Sequence, residues 1–186
     1  GHADYTAQIK YGGYQDVSGG GHFSGRLTAP LCVAGGLCKQ WLEEYGIRVG
    51  AHIAAIAGVQ DAAFDPMHPQ LDAVGTDFPV LNAEAGAKMR QAVADARMGL
   101  DSVGGVIELM AINLPAGLGA PYFDSVESRL SQILFSVPAV KGIEFGEGFG
   151  FAQLTGAEAN DQMHYEEGKV RCYTNHNGGI TGGLTN

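Results

Sequence analysis

The sequence predicts one domain, residues 1–186, of mixed α and β structure. Apolar residues recur at spacings of three and four over 28–45, which is typical of a helix with one buried face. They alternate with other residues over 47–57, as in a strand, and form a nearly continuous run over 103–113, which predicts a well-buried strand. Helices that alternate with strands fit either a parallel α/β sheet or an α+β arrangement.

Capping and turn residues predict where the first two helices begin and end. Thr28 can cap the first helix, Pro30 suits its first turn, and Gly46 can end it. Asn82 can cap the second helix. The face of that helix carries apolar residues at spacings of three and four, namely Ala85, Met89, Val93 and Ala96.

The rest of the chain is predicted from its turn residues. Asp124, with Glu127 three positions later, predicts the start of a third helix, which Pro138 stops. Prolines and aspartates in 61–76 predict a surface excursion. Glycines in 143–154 predict a broken strand or a hairpin.

Charge and hydropathy exclude several classes of protein. The net charge is −9, from 11 basic and 20 acidic residues, and general nucleic-acid binding needs a basic face instead. No apolar run reaches the length of a membrane span, and we expect no secretory signal.

The three cysteines, Cys32, Cys38 and Cys172, lack the spacing of a disulfide framework or a zinc site, so we expect no metal. Cys32 and Cys38 lie in the apolar helical pattern and are predicted to be packed thiols. This cysteine usage fits the reducing cytoplasm.

Glycine is unusually frequent, with 29 residues that occur in clusters. The segment GGGHFSGRLTAP, residues 19–30, joins a glycine loop to a helix start, where backbone N–H groups and Arg26 can bind a phosphate or carboxylate. A purely structural turn is the alternative, because the segment matches neither the P-loop nor the dinucleotide fingerprint. The terminal segment TNHNGGITGGLTN, residues 174–186, indicates backbone that lies close to another group.

Isolated polar residues favour structural roles when they are judged from chemistry alone. His2 is typical of a surface histidine, with proton transfer as the alternative. Glu108 is the only charge in the apolar run and predicts a structural ion pair, because a buried carboxylate needs a partner. His52 is predicted to be an ordinary residue of the strand. Residues 113–121 are predicted to form a rigid connector, with a functional loop as the alternative.

Six segments, taken together, resemble the chorismate synthase family. In chain order they are HADYT, SGGGHFSGRLTAP, DSVGGVIE, NLPAGLGAPYFD, SVPAVKGIEFGEGF and TNHNGGITGGLTN. The resemblance implies an α+β fold, a β-α-β sandwich with helices between antiparallel sheets, assembled as a homotetramer. It also implies a 1,4-elimination of phosphate from 5-enolpyruvylshikimate 3-phosphate that gives chorismate, with reduced FMN as cofactor and NADPH as the reductant in some members.

The resemblance also implies the site residues. His2 matches a family histidine that protonates the reduced flavin, and Gly25 with Arg26 matches the pair at the substrate. The positions that match flavin contacts are His22, Phe23, Ser24, Pro138, Ala139 and Gly182. Many members have Arg-Ser-Ser where this chain has residues 22–24, so backbone contacts carry over there and the arginine contact does not.

Family members also carry a Gly-Glu-Ser-His-Gly motif before the region that resembles this chain. After it they carry a Lys-Pro motif and a catalytic aspartate. The lack of both segments predicts a core fragment of the enzyme, inactive by itself. The alternatives are a non-catalytic flavin- or anion-binding module and a subunit completed by another chain. Retention of His2, Arg26 and Gly182 favours the enzyme, because a decaying pocket would lose them first.

Overall fold

The computed structural model describes residues 2–186, which group into two compact units. The first unit comprises the chain up to residue 41 together with residues 115–153 and 179–186. The second unit comprises residues 42–114 and 154–178. The expectation of one domain stays a prediction.

Five helices and seven strands follow one another along the described chain. The helices are α1 (Asp4–Tyr11), α2 (Thr28–Glu44), α3 (Ala83–Met98), α4 (Val126–Leu134) and α5 (Gly156–Ala159). The strands are β1 (Arg48–Ile56), β2 (Val59–Gln60), β3 (Gly105–Ile112), β4 (Met163–Glu166), β5 (Lys169–Cys172), β6 (Ile180–Thr181) and β7 (Leu184–Thr185). Short 3-10 turns occupy Ser18–Phe23, Gly25–Leu27, Leu71–Ala73, Tyr122–Asp124 and Gly148–Gln153.

All strand pairs within residues 2–186 are antiparallel. The second unit contains the sheet β2-β1-β3 and the hairpin β4-β5, and the first contains the hairpin β6-β7. The parallel α/β alternative is therefore wrong, and the α+β class is confirmed.

A buried histidine joins the strands of the three-stranded sheet to the loop beside it. His52 on β1 stands directly opposite Glu108 on β3, and 2.6 Å separates its Nε2 from Glu108 Oε2. Its Nδ1 lies 3.0 Å from Asp61 Oδ2, and the ring packs edge-on against Phe64. Glu108 Oε2 also accepts a hydrogen bond from the Phe64 N–H. Glu108 therefore has the buried partner that the sequence predicted, and this partner is His52; the contact is an ion pair when the ring is protonated.

Asp61 extends this network to the start of α3. Its side chain is fully buried and accepts hydrogen bonds from the N–H groups of Leu81 and Asn82. Burial alone would raise the pKa of Asp61, but these hydrogen bonds outweigh burial and lower it. Asn82 in turn caps α3, because its side-chain oxygen accepts from Glu84 N–H and Ala85 N–H.

Most of the predicted elements are confirmed. The predicted helix over 28–45 is α2, the alternating pattern over 47–57 is β1, and Asn82 caps α3 as expected. Met89 on α3 is fully buried. Residues 61–76 form an irregular excursion with a single 3-10 turn.

One predicted helix start and one predicted strand are wrong. The cap of α4 is Ser125 rather than Asp124: the Ser125 hydroxyl accepts from Ser128 N–H, while Asp124 forms an ion pair with Arg129. Residues 143–154 contain a 3-10 turn and no strand. Gly146 and Gly148 adopt positive φ angles of 57° and 53°, which interrupt an extended backbone.

The burial predicted for β3 is also wrong. Val106, Ile107 and Leu109 are 58, 58 and 52% exposed, whereas Glu108 and Met110 are half-buried. Side chains on a strand alternate between two faces. Within residues 2–186 the face with Glu108 and Met110 is partly packed, and Val106 at the start of that face is exposed. A continuous apolar run therefore does not imply burial of both faces.

The packed face predicted for α2 is wrong as well. No residue of α2 is buried, and Leu37 and Trp41 are 65 and 61% exposed. Cys32 and Cys38 are exposed too, so the prediction of packed thiols is wrong. The periodic pattern identifies the apolar face correctly, but nothing within residues 2–186 covers it.

Several elements had no sequence prediction: α1, β2, α5 and the hairpins β4-β5 and β6-β7. Each hairpin strand has only two to four residues. Such strands are too short for an alternating pattern to stand out.

We predict that His52→Gln lowers the free energy of unfolding by about 3 kcal/mol, because glutamine can donate to only one of the two carboxylates. Urea unfolding of the chain measures the loss. Arg48→Gln is the control, since it removes the exposed ion pair with Asp72 and should cost much less. Equal losses for the two variants would show that the buried network contributes no more than a surface pair.

Candidate functional site

All nine residues that the sequence assigns to a site lie in the first unit. They lie at four places along the chain: His2, residues 22–26, residues 138–139 and Gly182. No hydrogen bond or ion pair within residues 2–186 joins any two of these places directly.

Residues 22–26 follow a glycine loop with left-handed backbone. Gly19, Gly20 and Gly21 have φ angles of 60°, 89° and 52°. A Cβ at Gly21 would stand 2.4 Å from the Asp16 carbonyl oxygen, so no other residue fits there. Asp16 also receives the Ser18 N–H on its side chain at 2.8 Å. The loop therefore needs its glycines for its own shape.

Ser24 and Gly25 connect this loop to the start of α2. The Ser24 hydroxyl accepts from Arg26 N–H at 3.3 Å, and the Thr28 hydroxyl donates to the Gly25 carbonyl at 2.7 Å. Gly25 is exposed, and a Cβ placed on it would meet no atom within 4 Å. These contacts hold residues 24–26 in a defined conformation and leave one side of Gly25 open.

Arg26 presents an unpaired positive charge. Its side chain is exposed and makes no hydrogen bond or ion pair within the described part of the chain. Its Nη1 lies 3.9 Å from the point that a Cβ on Gly19 would occupy, so the guanidinium lies close to the glycine loop. A free guanidinium beside exposed backbone is suited to bind a phosphate or carboxylate through paired hydrogen bonds.

Gly182 lies in the tight turn of the hairpin β6-β7. Gly182 and Gly183 link the paired residues Thr181 and Leu184, with φ angles of 63° and 83°. Two successive positive φ angles are what a two-residue type I′ turn requires. The two glycines differ in their surroundings: a Cβ on Gly182 would meet nothing within 4 Å, while one on Gly183 would stand 2.7 Å from Ser125 Cβ.

Pro138 and Ala139 form a second tight turn. The Val140 N–H donates to the Val137 carbonyl at 3.4 Å, which places Pro138 and Ala139 at the central positions. Ala139 has a φ of 69°, where glycine is the usual residue. This backbone strain, in an exposed turn, is a common property of ligand-binding segments.

His2 lies just before α1 and is exposed. Its ring makes no hydrogen bond or ion pair within residues 2–186. The side chain is therefore accessible to a bound molecule and to solvent.

No feature of the sequence predicted a buried aspartate in the second unit. Asp161 is 7% exposed and accepts four hydrogen bonds, from Thr174 Oγ1, His176 N–H, Asn177 N–H and Asn177 Nδ2. Burial would raise its pKa, but these donors outweigh burial and lower it. Burial, followed by the charge of Asp161, raises the pKa of the Cys172 thiol. Asp161 thus shapes residues 174–177, directly before the terminal glycines.

No group of three or more His, Cys, Asp or Glu side chains among residues 2–186 has an arrangement that could hold a metal ion. No helix in the same range has the length and apolar character needed to cross a membrane.

Comparison with known proteins gives one consistent result. A family model described as chorismate synthase matches residues 1–186. The chain is 46% identical over 185 residues to a chorismate synthase of Thermococcus gammatolerans, covering 100% of this chain and 51% of that protein. It is 42% identical over 199 residues to one of Lancefieldella parvula, covering 100% of this chain and 52% of that protein.

A solved structure agrees with these sequence matches. A crystal structure of a chorismate synthase matches with a TM-score of 0.90 and 27% identity, over 100% of this chain and 59% of that one. The chain spans about half the length of the curated relatives it matches. The α+β fold that the resemblance implied is confirmed.

The two turn glycines provide a test of the site geometry. We predict that Gly182→Ala costs about 1 kcal/mol, because alanine is strained at positive φ. Gly183→Ala should cost clearly more, since its Cβ would also collide with Ser125. Thermal or urea unfolding of both variants measures the difference. A Gly183→Ala variant as stable as Gly182→Ala would contradict the packing of this turn.

Proposed function

Because the chain belongs to the chorismate synthase family, we propose that it is part of an enzyme that converts 5-enolpyruvylshikimate 3-phosphate to chorismate. The reaction is a 1,4-elimination, in which the bond to the phosphate and a C–H bond both break and a new double bond forms. The observation that carries the proposal is the unpaired guanidinium of Arg26 beside the open backbone of Gly25. The enzyme would serve the biosynthesis of aromatic amino acids.

Arg26 and its neighbours fit an anionic substrate. The substrate carries a phosphate and carboxylates, and negative charge builds up on the phosphate as it leaves. A guanidinium already in place stabilises that charge without reorganisation in the transition state. Gly25, without a side chain, lets the substrate approach the backbone closely. We assign Gly25 and Arg26 to substrate binding.

The backbone of three segments fits a flat cofactor. Gly182 offers a left-handed backbone with no neighbour within 4 Å of its missing Cβ, and residues 22–24 and 138–139 are held in defined turns. We assign His22, Phe23, Ser24, Pro138, Ala139 and Gly182 to contacts with reduced FMN. When bound, the reduced flavin would supply electron density that helps the phosphate leave and would accept the hydrogen at N5.

We assign His2 to proton transfer beside the flavin. A histidine titrates near neutral pH, and a side chain without internal partners can donate or accept a proton readily. No hydrogen bond or ion pair within residues 2–186 joins His2 to Arg26, so the two residues can be tested separately.

Three further properties rest on family membership. We propose that the complete enzyme works as a homotetramer in the cytoplasm and that NADPH is a candidate reductant of its flavin. We also propose that this chain is the core of a longer polypeptide, whose other segments supply further substrate and flavin contacts. The proposal of a longer polypeptide is supported by the comparison with relatives, because this chain covers only 51 and 52% of their length.

We predict that Arg26→Ala in the complete polypeptide weakens substrate binding by about tenfold to a hundredfold, as the loss of charged hydrogen bonds requires. FMN binding should change much less. Fluorescence titrations with each ligand separate the two effects. Arg129→Ala, which removes an exposed arginine of the same unit, is the control. Equal losses of substrate and flavin would reassign Arg26 to the flavin.

We predict that His2→Ala lowers turnover at least about a hundredfold with little change in stability, because general acid–base groups contribute that much. Chorismate formation in the complete polypeptide is the measurement, and His68→Ala, in the surface excursion, is the control. Residues 1–186 alone set the baseline, and we expect no turnover from them. Turnover within about twofold of wild type would exclude the proton role.

A further inference from the structure

The two turns that hold Gly182 and Ala139 belong to one connected framework in the first unit. The turn with Gly182 contacts the start of α4, and the turn with Ala139 follows the end of α4 by three residues. Neither connection depends on the second unit. The geometry of the framework therefore follows from the contacts of this unit alone.

Thr185 fixes one strand of the glycine hairpin. It is 7% exposed, and its hydroxyl donates to the Pro115 carbonyl at 2.7 Å and accepts from the Leu118 N–H at 2.9 Å. Its backbone N–H donates to the Leu118 carbonyl at 3.0 Å, and its carbonyl accepts from Gly117 N–H at 2.7 Å. Four hydrogen bonds thus join one residue of the hairpin to residues 115–118.

The first turn of α4 fixes the glycine turn itself. The Val126 N–H donates to the Gly183 carbonyl at 3.0 Å. The first N–H groups of a helix have no partner inside the helix, so an external carbonyl at this position satisfies one of them. Gly183 also lies so close to Ser125 that a Cβ would collide with it. The turn therefore sits directly on the start of α4.

The body of α4 sets the distance to the second turn. Its nine residues span about 14 Å at 1.5 Å per residue. The Val137 N–H then donates to the Leu134 carbonyl at 3.1 Å, which holds the turn of Pro138 and Ala139 against the helix end. A helix of this kind is stiff, so the spacing of the two turns along it is fixed.

We propose that Thr185 and the Val126 N–H are positioning groups for FMN. They fix the turn of Gly182 and Gly183 to the start of α4, and α4 holds that turn at a set distance from Pro138 and Ala139. The inference rests on the proposed function, because it takes those turns as the flavin contacts. Neither group touches a reacting atom.

Two variants test the two anchors separately in the complete polypeptide. Thr185→Val keeps the size of the side chain but removes the hydroxyl. The Pro115 carbonyl then loses its hydrogen-bond donor, and the Leu118 N–H loses its acceptor. Val126→Pro removes the N–H that binds Gly183, and proline is well tolerated at the first position of a helix. The preceding Ser125 has φ −60° and ψ 156°, a conformation that a following proline favours.

Controls separate positioning from general stability. Thr185→Ser keeps the hydroxyl and should bind FMN like wild type. Thr155→Val removes a capping hydroxyl in the second unit. It should lower stability without changing the hairpin, and it therefore shows how much FMN binding changes from a loss of stability alone. The measurements are the dissociation constants for FMN and for the substrate phosphate, and the midpoint of thermal unfolding.

We expect Thr185→Val and Val126→Pro to raise the dissociation constant for FMN about tenfold or more, with substrate binding unchanged in the absence of flavin. FMN affinities within about twofold of wild type for both variants would overturn the inference. Equal loss of FMN and substrate binding, with a lowered melting temperature, would overturn it too, because the role would then be structural. If Thr185→Val does not fold, the dissociation constant of Val126→Pro for FMN alone decides whether the inference holds. A wild-type protein that binds no FMN, with or without substrate, would overturn the proposed function itself.

Discussion

The second unit depends on one buried interaction, the placement of His52 between two carboxylates. A single ring contacts Glu108 on the neighbouring strand and Asp61 on the adjoining excursion. Asp61 also accepts hydrogen bonds from the N–H groups of Leu81 and Asn82, which fixes the backbone there, and Asn82 caps α3. One histidine thus connects two strands, an irregular loop and a helix start. Because burying unpaired carboxylates is costly, alternative pairings of the sheet that separate these groups are disfavoured.

The first unit follows a different principle, because backbone geometry rather than buried charge organises its candidate site. Gly21 and Gly183 are required by contacts within the protein, since a Cβ at either position would collide. Gly25 and Gly182 have open space where a Cβ would lie. Glycines of the first kind shape the loops, and those of the second kind leave the backbone accessible to a bound molecule. In the function proposed above, the substrate and the flavin would bind to this accessible backbone, and Arg26 and His2 would act beside it.

The exposed apolar surfaces show what a periodic pattern can and cannot tell. The spacing in α2 identifies a helix and its apolar face, and the run in β3 identifies a strand. Both faces are exposed within residues 2–186, and so are Cys32 and Cys38. Periodicity reports which side of an element is apolar, whereas burial also requires a second surface that packs on it.

The sequence by itself determined the local features of this protein. Helix α2, the Asn82 cap, strand β1 and the glycine loops follow from patterns among residues close in the chain. The family motifs identified the fold class, and the site residues that they imply stay a prediction. The tertiary structure decided the rest. His52 meets Glu108 across 56 positions and Thr185 meets Pro115 across 70, and such pairs leave no periodic signal. The role of Ser125 and the turn at Ala139 were missed for another reason. Asp124 and Ser125 are adjacent and both suit a helix cap, and only the structure shows that Ser125 accepts from the helix start. A positive φ is unusual for alanine, so its residue type did not indicate the turn.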